Sequence, residues 1–460
     1  MGDPIPAIRS GTVPALPSLA IQLAEIVDDP ERSYEDAWDV IKRMARDMRD
    51  RQSLILVDRE VDAMLHEDEL STSSTFHLLH TVHPRVLRSV CMGTVAYEFH
   101  DQQSSVWSDV HSEQGPGAYV VGIAVHGRAG KFLTATETHA LINVLQTYLA
   151  GCAAWAARED DFYGELNQQQ NHDLTWAMEI DNQCPPAGRV APSSEMQSEI
   201  KQGDGRETEE DVSHRVHRPR FSGSGRNMTT GIHALIAMFQ RRLMHGADPN
   251  EPQIQSPLLV GSSNDLQTRK QDYRPNVTRF HSDAHLYVLL MSCIKFMGLE
   301  PQEVFVPFTK AWEVGQINQG EVLATIVGNS LVSMAGLNVH EPGGKRNENP
   351  PEDSVFERTH REVNRRDWFL DNIRQSCDKS EWGRLKKIDA EIFSVTDADL
   401  DLKEQEAEDA RHDFCAAVSE AETALAGKEA ELDEAKDALE REKARQREIS
   451  ALTDEIFADF

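Results

Sequence analysis

No stretch of this sequence comes near the run of about 20 consecutive apolar residues that a helix needs to cross a bilayer, so no membrane contact is expected. The first residues, Met1-Gly2-Asp3-Pro4-Ile5-Pro6, lack the basic start and apolar core of a secretory signal. Pro6 stands where an N-myristoylation pattern needs serine or threonine. Cysteine is sparse: Cys91, Cys152, Cys184, Cys293, Cys377 and Cys415 are dispersed, with no CxxC pair. That usage reads as reduced thiols in an intracellular protein, cytoplasmic or nuclear. Positive charge is scarce too. The 47 Lys and Arg face 77 Asp and Glu, a formal net charge of −30. That argues against a chain-wide nucleic-acid or anionic-membrane surface, because phosphate binding rests on clustered cations, and leaves room for a local basic groove.

What is there suffices for real cores. The chain has 460 residues, of which 39% are hydrophobic and 27% charged, and that length suggests two globular domains with appendages. Residues 1–30 are Pro-rich and read as a flexible arm. A helical region follows over 31–115: apolar residues recur helically from Tyr34 to Leu65, and a second apolar segment runs from Phe76 to Val95 with an interruption at Pro84. After the Gly115-Pro116-Gly117 turn, Ala118–Val125 is β-branched and apolar, a buried strand. Thr134–Trp155 reads as a helix with Thr136 capping its start, so 116–182 is strand plus helix. Residues 183–226 turn to Pro, Gly, Ser, Gln and Glu and read as a disordered linker or insert.

A globular pattern resumes over 227–340. A break at 341–354 and a helical segment over 355–396 follow. The remainder, 397–460, is an acidic helical tail in which Val418, Leu425, Leu432 and Leu439 recur every seven residues. Three residues on stand Ala421, Lys428, Ala435 and Glu442, a poor second seam position. Two readings stay open there, a long solvated helix and a coiled coil joining a second copy or another protein through 397–448.

Within 256–340 the element order is strand, helix, helix, strand, helix. Leu259-Val260-Gly261-Ser262 ends the first strand, and Asn264-Asp265-Leu266 opens a short helix that carries Arg269, eight residues beyond Gly261, and Tyr273 one turn later. Glu321 lies in the helix expected over Gln316–Met334, and Asn338 follows it. This arrangement resembles the GIY-YIG nuclease family over about 85 residues. The resemblance implies an α/β fold: a small mixed or antiparallel sheet flanked by helices, here with a helical N-terminal region and a long C-terminal helix. It implies a metal-dependent nuclease acting on DNA or RNA. Arg269, Tyr273 and a strand tyrosine would be catalytic, Glu321 would hold Mg²⁺ or Mn²⁺, and Gly261, Ser262 and Asn338 would line the substrate.

The chemistry accounts for those residue types. A carboxylate-held Mg²⁺ polarises the phosphate and stabilises the leaving oxygen. An arginine grips non-bridging oxygens in a bidentate fork, and a tyrosine orients or deprotonates water. The sequence also departs from the pattern. Leu259 replaces the tyrosine of YIG, and no GIY segment stands shortly upstream. Gly117-Ala118-Tyr119 is the preferred substitute, which would place 117–126 in the same sheet and make Tyr119 the catalytic tyrosine. Gly231-Ile232-His233 is the alternative, in a stretch that reads as helix.

If the chemistry has decayed, the chain is a binding or assembly protein on the same fold. Glu321 would then be a carboxylate favoured at a helix start, and Tyr273 and Asn338 packing and capping residues. Charge is neutral over 256–346, with eight bases against eight acids. Arg269, Lys270, Arg274 and Arg279, with Arg215, Arg218, Arg220 and Arg226, form a modest basic region. His77, His80 and His83 have no carboxylate or cysteine to complete a zinc set and read as structural or surface residues.

Overall fold

The strand expected at 118–125 is the middle of the one sheet found among the described residues. In the computed structural model these are residues 17–51, 74–160, 166–184, 219–220, 227–243, 248–273, 285–339, 342, 350–379, 385 and 397–458. Strand β1 (Gly117–Val125) pairs antiparallel with β2 (Leu259–Ser263) on one side and β3 (Pro301–Lys310) on the other, in the order β2-β1-β3. The register sets Tyr119 opposite Gly261 and Val121 opposite Leu259. A bulge shifts the β1–β3 pairing between Ala118 and Tyr119.

In chain order the helices are α1 (Ser18–Asp28), α2 (Tyr34–Arg51), α3 (Ser74–Thr81), α4 (Pro84–Cys91), α5 (Val95–Phe99), α6 (Ala135–Asp160), α7 (Gln168–Gln183) and α8 (Asn227–Leu243). They continue with α9 (Leu266–Asp272), α10 (His285–Phe296), α11 (Val314–Val327), α12 (Asp353–Val363), α13 (Asp367–Lys379) and α14 (Asp397–Ala458).

Every residue of β1 is buried, because helices cover both faces of the sheet. Side chains alternate across a strand, and here the alternation divides two apolar cores. Val120, Ala124, Val260, Val304 and Val306 join α1 to α5 and α11. Tyr119, Val121, Ile123, Leu259 and Phe305 join α6 to α10. The fold is thus α/β: a small antiparallel sheet between two helical layers, with a helical N-terminal region and a long C-terminal helix. Residues Met1–Ser380 and Glu381–Phe460 form separate units.

Several local expectations are revised. Within the span read as an arm, Ser18–Asp28 is a helix with Ala20, Leu23 and Ala24 wholly buried. Residues 1–16 lie outside the described set, as does the helix continuation expected over 52–65. The Pro84 interruption is found. Pro84 opens α4, where its missing N–H costs nothing, and His83 caps it by accepting from the Arg85 amide at 3.2 Å.

Thr134, not Thr136, caps α6. Its hydroxyl accepts from the Glu137 amide at 3.1 Å, and Glu137 Oε2 accepts from the Thr134 amide at 2.9 Å. That is a reciprocal capping box. The Thr136 hydroxyl donates instead to the Pro249 carbonyl.

Ala135–Ala157 of α6 is long and apolar enough to cross a membrane, and half of that window is buried within the fold. Leu141, Leu145 and Tyr148 are fully covered. Helix α11 stops at Val327, well short of 334. Gly328 caps it, Asn329 takes a left-handed φ of 46°, and Leu331 forms a parallel bridge with Asn338.

Most of the 183–226 linker lies outside the described residues. Arg220, however, is anchored, its amide donating to Asp181 Oδ2 at 2.6 Å and its guanidinium to the Cys184 carbonyl at 2.6 Å. All six cysteines are free thiols. In the second unit α14 is 62 residues long, about 93 Å of helix, and its described side chains are exposed.

Candidate functional site

The sheet sets Gly117-Ala118-Tyr119 opposite Ser263-Ser262-Gly261, so the two segments meet at Tyr119 and Gly261. The alternative, Gly231-Ile232-His233, lies inside α8 and contributes to no strand. The Tyr119 ring crosses the strand pair onto Gly261, where an added Cβ would stand 2.2 Å from the Tyr119 hydroxyl. Glycine is therefore required at that point by close approach. The ring stacks on Phe305 at 4.7 Å.

Helix α9 sets its side chains over the same spot. Asp265 caps its start, accepting from the Thr268 amide and hydroxyl at 3.3 and 2.6 Å and from the Gly115 amide at 3.2 Å. Burial works against the Asp265 charge, but these hydrogen bonds win and hold its carboxyl below the ordinary carboxylate range. Arg269, one turn on, donates from Nε to the Tyr119 hydroxyl at 3.0 Å and lies 3.5 Å from Asp272 Oδ2. The Tyr273 hydroxyl completes the group, 2.8 Å from that of Tyr119.

Tyr119 is 1% exposed, Tyr273 4%. Burial pushes the Tyr119 hydroxyl well above the usual tyrosine value, Tyr273 adds to the rise, and Arg269 opposes it. Tyr273 is raised in the same way, again with Arg269 opposing and Glu321 adding a little. For Arg269 burial disfavours the charge, but the two tyrosines and Asp272 outweigh it, and the guanidinium is more firmly protonated than usual.

Glu321 is held differently. Gly320 lets α11 settle onto the sheet, since a Cβ there would meet Thr309 Oγ1 at 2.4 Å and Ala118 Cβ at 3.2 Å. The next residue, Glu321, accepts from the Ser262 hydroxyl at 2.7 Å. It is the eighth residue of a 14-residue helix, so the reading as a carboxylate at a helix start does not hold. Ser262 neighbours Gly261 along β2 and therefore faces the opposite side of the sheet. Tyr119 and Tyr273, with Arg269 bonded to Tyr119, lie on the α6–α10 side, and Ser262 is bonded to Glu321 of α11.

Asn338 is bound to the backbone of β2. Its Oδ1 accepts from the Val260 amide at 2.9 Å and its Nδ2 donates to the Val260 carbonyl at 2.7 Å. The side-chain amide thus acts as one residue of a further strand and closes the open edge of the sheet. Each of its polar atoms makes one hydrogen bond to the strand.

Glu321 and Ser262 offer hard oxygen donors of the type Mg²⁺ takes. The arginine that would share the phosphate is engaged with Tyr119 and Asp272 instead. Among the described residues no group of three or more His, Cys, Asp or Glu is placed to hold a metal ion. His80 and His83 are indeed structural. His80 bonds the Phe76 carbonyl and the Ser376 hydroxyl.

The expected basic region is consumed internally where it is described. Besides Arg269, Lys270 pairs with Glu113 at 2.5 Å, and Arg220 is turned onto Asp181. Arg215, Arg218, Arg226, Arg274 and Arg279 lie outside the described residues.

Two features were not anticipated. Lys310, at the end of β3, has a side chain of 0% exposure, with Nζ donating to the Ser112 carbonyl at 3.0 Å and to that of Gln114, and 3.7 Å from Glu362. The apolar strand around it gives no sequence signal. A recess of about 490 Å³ on the surface is lined by Arg358, Arg361, Glu362, Arg365 and Arg366. Its signal was in plain view, four arginines within nine residues of an acidic chain.

No family model, curated protein or solved structure matches this chain in comparison.

Proposed function

We propose that the chain is a non-catalytic binding and assembly protein built on a degenerate GIY-YIG-like core. The likeness is supported by Tyr119 lying opposite Gly261 with Arg269 and Tyr273 closing on its hydroxyl. The loss of chemistry rests on one observation: Tyr119 is buried at 1% exposure and its hydroxyl accepts from Arg269 Nε. A tyrosine that cannot meet water does not orient or deprotonate it, and burial raises its pKa when general-base work needs it lowered. Arg269, spent on Tyr119 and Asp272, serves as the internal cation of a buried polar cluster. With Mg²⁺ or Mn²⁺ supplied, plasmid and structured DNA or RNA should stay intact, and Arg269→Ala should lower the urea midpoint rather than any cleavage rate. Nicking that is lost in both Arg269→Ala and Glu321→Ala would overturn this reading.

The second reading, a metal-dependent nuclease, is favoured by Glu321 being held on Ser262, the residue next to Gly261. It requires Arg269 to leave Tyr119 when substrate arrives. The same nicking assay separates the two.

The assembly half rests on α14. Val418, Leu425, Leu432 and Leu439 are exposed at seven-residue intervals, and Phe414, also exposed, opens the companion series at 421, 428, 435 and 442. A lone apolar edge of this length, on a helix whose described side chains are all exposed, is what a second helix would cover. The full chain should sediment as an oligomer, and deletion of 397–460 should reduce it to the monomer. An unchanged oligomeric mass after deletion would exclude assembly through the tail.

A further inference from the structure

We propose that the arginine recess of α12 is a phosphate-binding track for the backbone of a nucleic acid. Arg358, Arg361 and Arg365 are spaced i, i+3 and i+7, which puts them on one face of the helix and its C-terminal turn. The opposite face carries Phe356, Thr359 and Val363, all buried, so the arginine face is fixed outward by packing. The stripe spans about 10 Å along the axis. A nucleic-acid strand presents a phosphate every 3.4 Å or so of its axis, so the track meets several charges of a regular polyanion, not one isolated anion.

The electrostatics of the recess are unbalanced. Its one carboxylate, Glu362, is committed elsewhere: it accepts from the Ser112 amide and hydroxyl at 3.1 and 3.0 Å and lies 3.7 Å from the buried Lys310 ammonium. Burial works against the Glu362 charge, but Lys310 and Ser112 outweigh it and hold the carboxyl below its ordinary range. Glu362 also meets Arg366 at 3.6 Å, and the Arg366 guanidinium lies over the Trp368 ring at 5.0 Å, which fixes its plane. Arg361 Nε donates only to the Glu357 carbonyl, at 3.3 Å.

Arg358 and Arg365 form no ion pair with another described residue, and both are exposed. On a chain of net charge −30, nothing in solubility calls for uncompensated guanidinium groups gathered in one recess. A planar fork with several N–H donors matches phosphate oxygens bidentately. The proposal supplies the partner chemistry that the binding reading leaves open and rests on that reading only for binding without cleavage.

Fluorescence anisotropy of the full chain with labelled 20-nucleotide single-stranded and duplex DNA and RNA tests it. Long-chain inorganic polyphosphate and poly-glutamate of equal charge serve as separate probes. Binding to the oligonucleotides is expected, with a log K against log salt slope of about −2 on a single strand, as for three phosphates at roughly −0.7 each. Arg358→Ala/Arg365→Ala should weaken binding at least about tenfold and flatten the slope by about 1.4. The charge-matched Lys131→Ala/Arg374→Ala should change neither.

Both pairs are at the surface, and equal urea midpoints for the two variants would verify their folding. Equal binding by the recess variant and wild type overturns the proposal. So does tighter binding of poly-glutamate or polyphosphate than of the oligonucleotides. Gel analysis of the recovered oligonucleotide scores cleavage separately. Cleaved strands with an intact salt slope would remove the non-catalytic reading and leave the track, whereas a flat slope with intact strands would do the reverse.

Discussion

Replacing Gly261 with alanine should destabilise the protein by about 1–3 kcal/mol, the range for overpacking a well-filled core, although alanine is the better residue in an ordinary strand by roughly 0.5–1 kcal/mol. The sign is decided by Tyr119. The new methyl carbon would lie 2.2 Å from its hydroxyl and 2.6 Å from its Cζ. The ring cannot swing aside cheaply, because it stacks on Phe305 at 4.7 Å and its hydroxyl is tied to Tyr273 and Arg269. Moving it would leave buried polar atoms without partners. Removing the hydroxyl alone does not suffice, since Cζ would remain too close. In a Tyr119→Leu background both near atoms are gone, so Gly261→Ala should be neutral or slightly stabilising there. Urea unfolding of the four proteins of this cycle gives the coupling. Equal costs of Gly261→Ala in both backgrounds would show that Tyr119 is not what demands the glycine.

The same contact explains what was legible in the sequence. Tyr119 and Gly261 are separated by 142 positions in the chain, and periodicity says nothing about which strands pair. What carried the expectation was the combination of a β-branched run at 118–125 with a tyrosine near its start and a glycine closing the run at 257–261. Strand and helix positions followed from apolar periodicity wherever an element buries one face. The errors arose where a polar contact sets the boundary: the Thr134–Glu137 capping box shifted a cap by two residues, and the Leu331–Asn338 bridge ended α11 early.

Legibility of the candidate site was of a different kind. Residue types and spacings located Arg269, Tyr273, Glu321 and Asn338, yet spacing along β2 carries no statement of faces until the register is known. Once Tyr119 pairs with Gly261, Ser262 and Glu321 fall on the far side. Asn338, expected at substrate, completes the edge of β2. The pairing of buried Lys310 with half-buried Glu362 was invisible because its two members come from a strand end and a helix surface, each unremarkable alone.

Acid should destabilise this protein between about pH 6.5 and pH 4, through two histidines buried in neutral form. Burial lowers His80 to about 4, with the Phe76 carbonyl opposing the shift and His77 adding to it. Burial also lowers His111 to about 4. The Thr81 carbonyl and Glu362 oppose that shift, and Lys310 and Arg366 add to it. The unfolded chain titrates each imidazole near 6.5. Above that pH both states are neutral and the histidines leave stability unchanged. As pH falls below it, the unfolded state takes up protons that the folded state refuses, so stability declines until the folded groups titrate near 4. Each shift of about 2.5 units corresponds to roughly 3 kcal/mol at the bottom of the window, and the two together to about 6 kcal/mol at most. Glu362, whose carboxyl is depressed, loses its own contribution below the ordinary carboxylate range and extends the decline.

The structural consequence falls on α13. His80 Nε2 meets the Ser376 hydroxyl at 2.9 Å, Asn372 donates to the His80 and Val82 carbonyls, and Trp368 Nε1 and His111 Nε2 both bond the Thr81 carbonyl. Urea midpoints measured from pH 7.5 to 4.5 should therefore fall steeply below 6.5 in the wild type. His80→Gln/His111→Gln, whose amides carry similar donors and do not titrate, should lower the midpoint at pH 7.5 and flatten the profile. A double variant as steep as the wild type would assign the acid sensitivity to carboxylates instead, and a flat wild-type profile would mean that both imidazoles reach water in the native state.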